Sequence, residues 1–119
     1  MKDKTTTIEE LKFKVKEFCD ERDWEQFHDA KELSLALVVE ASELLEHFRW
    51  LRGDEISKKV QAKREEVEDE LADTLFFALR IAQLYDIDVT KAMARKQAKN
   101  DKKYPADKVK GQNKKYDEY

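Results

Sequence analysis

Glycine and proline are nearly missing from this chain: two of one and one of the other in 119 residues. Turn-rich β folds need many more of both, because tight reversals call for left-handed or φ-locked positions. A single cysteine, Cys19, leaves no internal disulfide to form, which suits a reducing, cytoplasmic setting. There is no basic excess either. The formal net charge is −3, so no overall positive field exists to hold a nucleic-acid polymer. The longest apolar runs, such as residues 35–39, fall far short of the roughly 20 residues that span a bilayer. Residues 1–7 are polar and lack the apolar stretch of a secretory signal, so no membrane partner is expected.

What is abundant is charge. Charged residues make up 43% of the chain, alongside many alanines and leucines, which is the composition of long amphipathic helices. The length suits one all-α domain. Residues 65–73 are strongly acidic and residues 91–115 are rich in lysine. These are either two solvated helix faces or a metal site and a polyanion site in one small domain.

Thr7 with Glu10 reads as a capping box opening a first helix, whose apolar stripe is Ile8, Leu11, Val15 and Phe18. Residues 20–28 interrupt the stripe and read as a connection. Asp29 with Glu32 caps a second helix expected to run to about Arg52, with Gly53 as its stop. That helix is apolar almost all round, so burying every face calls for a second subunit. Ser57 is the expected cap of a third helix reaching Tyr85, and Asp88 that of a fourth ending at Tyr104-Pro105. This gives a domain over residues 1–105 and a polar, mobile tail over 106–119.

Glu40 stands out, because it lies in Leu-Ala-Leu-Val-Val-Glu-Ala-Ser-Glu-Leu-Leu. Burying an ionised carboxylate there is costly unless it is paired or bound to metal. Glu43 follows three residues later, about 60° round the helix. Glu70 and Asp73 repeat the spacing on the third helix. Two such helices meeting in a bundle can enclose a cation. An all-oxygen ligand set favours Mg²⁺, or Mn²⁺, over zinc. The alternative is surface acids paired with lysines, the natural reading for Glu66, Glu68 and Asp69. A di-iron centre is disfavoured: it needs Glu-x-x-His on two helices, and the chain has that spacing only at Glu25 and His28.

Glu40-Ala-Ser-Glu43 and Glu70-Leu-Ala-Asp73, with 26 residues between Glu43 and Glu70, resemble the signature of the MazG-like all-α nucleoside triphosphate pyrophosphohydrolases. Glu21-Arg-Asp-Trp-Glu-Gln-Phe-His28 and Asn100-Asp-Lys-Lys-Tyr-Pro105 look most like the dCTP pyrophosphatase branch. The resemblance implies a four-helix bundle completed as a homodimer or homotetramer, and hydrolysis of a (d)NTP to monophosphate and pyrophosphate. It implies Glu40, Glu43, Glu70 and Asp73 as metal ligands. Trp24, Glu25, Gln26, Phe27, His28, Trp50 and Phe77 would contact the base and sugar, and Lys96, Asn100, Lys103 and Tyr104 the phosphates. Two positions depart from the branch: Val15 stands where it has histidine, and Phe77 where it has tyrosine.

That chemistry asks for these residue types. Divalent ions held by carboxylates neutralise the triphosphate and acidify a bound water. A carboxylate of the quartet, or Glu46 or Glu66, orients the attacking water. Indole faces at Trp24 and Trp50 suit base stacking, worth about 1–3 kcal/mol per base. Two other functions compete: a non-catalytic nucleotide sensor and a structural helical oligomer with incidental acids.

Overall fold

A computed structural model describes residues 1–118. Among these the fold is all-helical, and it divides into two compact units, Met1–Ile87 and Asp88–Tyr119; Tyr119, the last residue of the expected tail, lies outside the described residues. No helix among the described residues is long and apolar enough to cross a membrane.

The first unit holds α1 (Ile8–Glu21), α2 (Ala30–Glu46), α3 (Asp54–Ala62) and α4 (Arg64–Leu84). α1 starts where its capping box predicts: Thr7 Oγ1 accepts from the Glu10 amide at 3.1 Å. Asp29 does the same for α2, accepting from the Glu32 amide at 2.8 Å. Each such cap is worth about 1 kcal/mol. α4 is the central element, packing most extensively along α2, then against α1, and least against α3.

The core is small. Val15 and Cys19 of α1 meet Leu79 of α4, flanked by Leu11 and Phe76, while Leu33 and Ala82 are buried as well. Lys12 is also buried, and its ammonium donates to the Ile87 carbonyl at 2.6 Å. Much apolar surface stays outside. Leu35, Val38, Val39 and Leu45 of α2 are 52–63% exposed, and Leu71 and Leu75 of α4 are exposed too.

Two boundaries differ from the sequence expectation. α2 ends at Glu46, not near Arg52. From His47 onward the amides of His47, Phe48 and Leu51 bond three residues back instead of four, a tightening typical of helix ends. The helix expected from Ser57 to Tyr85 is two helices, broken at Lys63 (φ −120°, ψ 37°). No glycine or proline marks this break, so it leaves no local signal in the sequence. Ser57 is interior to α3, its hydroxyl donating to the Asp54 carbonyl at 3.2 Å. Gly53 begins α3 instead, at φ +60° and ψ −135°, a conformation that glycine tolerates and side chains resist.

The second unit holds α5 (Val89–Lys103) and α6 (Ala106–Val109). Asp88 caps α5 by accepting from the Lys91 amide at 2.9 Å, and the helix stops before Tyr104-Pro105 as expected. In the stretch expected as a tail, a 3-10 turn at Tyr116–Glu118 sets Tyr116 edge-on to Tyr104 at 6.3 Å. The Lys103 ammonium lies 4.7 Å from the same ring.

Candidate active site

The packing of α2 on α4 brings three carboxylates together. One oxygen each from Glu40, Glu43 and Glu70 lies within 4.8 Å of the others. The cause is local: three-residue steps on α2 put Glu40 and Glu43 on the side that faces α4, where Glu70 answers them. Glu40 and Glu70 are half-buried, whereas Glu43 is exposed. Glu40 Oε2 and Glu70 Oε2 are buried without any hydrogen-bond partner.

The electrostatics follow from the crowding. Burial raises the Glu40 carboxyl above the ordinary carboxylate range, helped by the neighbouring Glu43 carboxyl and then by the charges of Asp73 and Glu70. Glu70 is raised in the same way, by burial and then by Glu43, with His47 working in the opposite direction. The His47 ring nitrogen Nε2 sits 3.9 Å from Glu70 Oε1. Hard oxygen donors, two of them orphaned in a half-buried cluster, fit a divalent cation such as Mg²⁺. The donor set and the unpartnered oxygens are what a cation would satisfy.

Asp73 stands outside that triad but shares a cavity with Glu40. The cavity, of about 480 Å³, is lined by Lys14, Val15, Phe18, Trp24, Glu40, Asp73, Phe76 and Phe77. That volume suits a small-molecule ligand. Its aromatic wall is continuous. Trp24 meets Phe18 edge-on at 5.5 Å, Phe18 meets Phe76 at 5.8 Å, and Phe76 meets Phe77 at 5.2 Å. Acids for a cation and rings for a heterocycle thus open on one space.

The other sequence candidates are placed differently. Glu25 and His28 turn to Arg80: Arg80 Nε donates to His28 Nδ1 at 3.0 Å, and Glu25 lies 3.9 Å from Nη2. Burial, then the Arg80 charge, lowers the His28 pKa, against the pull of Glu25. Gln26 donates to the Asp23 carbonyl and carboxylate. Phe27 and Trp50 are 65% and 78% exposed, away from the cavity lining, with the Arg49 guanidinium over the Trp50 ring. Glu46 pairs with Arg49 and Glu66 with Lys63, all at the surface. On α5, Lys96, Asn100 and Lys103 share one face at steps of four and three residues.

Phe18, Phe76 and Lys14 line the cavity without having stood out in the sequence. Phe18 reads as core stripe, and Phe76 is masked by its neighbour Phe77. The usable signal was Phe76 lying three residues after Asp73, on the acid-bearing side of α4. Val15 and Phe77, the two departures from the branch pattern, both belong to this apolar lining.

Comparison with known proteins points to one family. The model of the MazG-like family matches residues 35–119. The chain is 36% identical over 114 residues to dCTP pyrophosphatase 1 of Homo sapiens, covering 94% of this chain and 67% of that one. With dCTP pyrophosphatase 1 of Bos taurus it is 37% identical over 101 residues, covering 83% and 60%. It therefore spans between 60% and 67% of the length of these curated relatives. A solved structure of a pyrophosphatase from Archaeoglobus fulgidus superposes with a TM-score of 0.79 at 38% identity, over 82% of this chain and 92% of that one.

Proposed function

This chain belongs to the MazG-like family, and from that premise we propose that it is a nucleoside triphosphate pyrophosphohydrolase. The reaction is hydrolysis of a (d)NTP between its α and β phosphates, giving the monophosphate and pyrophosphate. The proposed substrate is dCTP or a modified pyrimidine deoxynucleotide. One observation carries the reading: of three crowded carboxylates, two with buried and unpartnered oxygens, Glu40 opens together with Asp73 on a 480 Å³ cavity walled by aromatic rings.

Glu40, Glu43, Glu70 and Asp73 would hold Mg²⁺, or Mn²⁺ with the same preference for hard oxygens. When bound, the ion supplies charge neutralisation for the triphosphate and acidity for a coordinated water. The chain's own groups do the rest. Glu43 is the exposed member of the triad, which makes it the carboxylate best placed to accept a hydrogen bond from the attacking water and orient it. Trp24, Phe18, Phe76 and Phe77 exclude solvent from the base and stack on it. Lys96, Asn100, Lys103 and Tyr104 are assigned to the phosphates on the family pattern.

The working form is a homodimer or homotetramer. Leu35, Val38, Val39 and Leu45 recur at helical steps along one outer face of α2 and stand exposed. Covering such half-exposed side chains yields about 1 kcal/mol each, a gain that offsets part of the cost of self-association. The experiment is a panel of the eight common NTPs and dNTPs with methylated and oxidised analogues, in Mg²⁺, read by pyrophosphate release. Turnover of at least one, lost in Glu40→Gln, is expected. No turnover of any, with nucleotide still bound, would replace the enzyme with a sensor.

A further inference from the structure

The most deeply buried charge in the protein lies outside the carboxylate cluster. Arg80 of α4 is 0% exposed. Its guanidinium spreads over three partners: Nε donates to His28 Nδ1 at 3.0 Å, Nη1 donates to Gln83 Oε1, and Nη2 lies 3.9 Å from Glu25 Oε1. The last contact is too long for a hydrogen bond, and Nη2 has no other acceptor. A buried cation with one arm unsatisfied is costly to keep. Two of its three partners flank the 3-10 turn Glu25–Phe27, one at its first residue and one just past its last.

Trp24 begins that turn and lines the cavity. Its ring is edge-on to His28 at 6.5 Å and to Phe18 at 5.5 Å. The other anchors of the turn hold its backbone and leave the Trp24 ring free: the Trp24 amide donates to the Cys19 carbonyl at 3.0 Å, and Gln26 donates to Asp23. Trp24 makes no side-chain cap bond, and Phe27 is exposed. At the far side, the Ala30 amide donates to the Tyr85 hydroxyl at 2.8 Å. On α4, Asp73, Phe77 and Arg80 follow at steps of four and three residues, so they share one face over about two turns.

We propose that Arg80 is a positioning residue for nucleotide binding: its buried guanidinium clamps the turn at Glu25 and His28 and so fixes Trp24 as a wall of the base pocket. Arg80 touches no substrate; it acts through Trp24. The donation from Nε requires His28 Nδ1 to be unprotonated, so the clamp also sets the tautomer of His28, with the proton on Nε2. The inference rests on the hydrolase reading for its kinetic arm only.

The test is a double-mutant cycle on the full chain, with Arg80→Met and Trp24→Ala singly and together. Arg80→Met should raise KM for the best dNTP about tenfold, within the range of one lost base stack, with kcat changed less than twofold. In the Trp24→Ala background the same substitution should leave KM unchanged, because the residue it positions is gone. Arg80→Lys, which keeps the charge and loses the fork, should behave like Arg80→Met and serves if the methionine variant does not fold. Equal KM penalties in both backgrounds, or a fall in kcat alone, would overturn the proposal. A second readout needs no turnover. In a Trp50→Phe background, Arg80→Lys should red-shift Trp24 emission and increase its quenching by acrylamide. An unchanged spectrum would sink the clamp even if the enzyme hydrolyses nucleotides, and a red shift would sustain it even if no nucleotide is turned over.

Discussion

Glu40→Gln is the substitution with the most to say about the acidic cluster. Glutamine keeps the shape of the protonated acid and removes its charge. In the structure, oxygens of Glu40 and Glu43 come within 4.8 Å. At that distance two unit charges repel by about 0.9 kcal/mol at the dielectric of water and about 3.5 kcal/mol at an effective dielectric of about 20. Glu43 is exposed and Glu40 half-buried, so solvent screening keeps the value near the low end, about 1–2 kcal/mol. For a chain of this size that is a rise in Tm of roughly 3–8 °C, measured by circular dichroism in EDTA. The gain should depend on pH. The folded-state pKa of Glu40 is raised, so its contribution to stability is complete below the unfolded value, about 4.3. It is lost as pH rises through the folded value. The gap between variant and wild type should therefore open as pH increases above about 4.3 and then level off. Saturating Mg²⁺ should close the gap, because the cation stabilises only the protein that can bind it. Hydrolysis should fall at least about 100-fold, the usual scale for losing a group that organises transition-state charge. If Glu40→Gln lowered Tm in EDTA and kept the full Mg²⁺-dependent rise, the acids would be ordinary surface groups and the reasoning would fail.

Four further expectations follow from the same geometry. Trp24→Ala should raise KM by about 5- to 150-fold, the equivalent of about 1–3 kcal/mol of stacking, and steady-state kinetics with an unchanged Mg²⁺ requirement would check it. Mg²⁺ binding should release protons from Glu40 and Glu70, whose pKa values are raised; calorimetry just above the ordinary glutamate pKa of about 4.3, in two buffers of different ionisation enthalpy, should give different apparent heats. His28 should titrate below about 6.5 because its folded pKa is lowered. Its share of stability is then complete above that pH and lost as pH falls through the folded value, which NMR titration of the His28 ring would follow. Val38→Lys, on the exposed face of α2, should shift the protein to a smaller species in size-exclusion chromatography with light scattering, and an unchanged mass would remove α2 from the interface.

The sequence was most informative where a local rule sufficed. Thr7, Asp29 and Asp88 cap the helices they were expected to cap, because capping is decided within four residues. Glu40 and Glu43 were conspicuous for sitting as acids in an apolar run. The break at Lys63 was invisible, since nothing in Lys-Arg-Glu-Glu forbids a continuous helix. The early end of α2 was hidden by the aromatic and apolar residues that follow Glu46. Arg80 was missed for a related reason: an arginine on an amphipathic helix looks like a surface residue until a partner such as His28, 52 positions away in sequence, is seen against it. Such long-range pairings have no periodicity to betray them.

The edge-to-edge run of rings from His28 through Trp24, Phe18 and Phe76 to Phe77 draws on the first helix, the central helix and the turn between α1 and α2. Rings in mutual contact cannot be resized independently, so substitutions along the run will show strong epistasis. Reshaping the cavity would then require paired changes, for example at Phe18 together with Phe76. Libraries that vary one position at a time would record mostly losses.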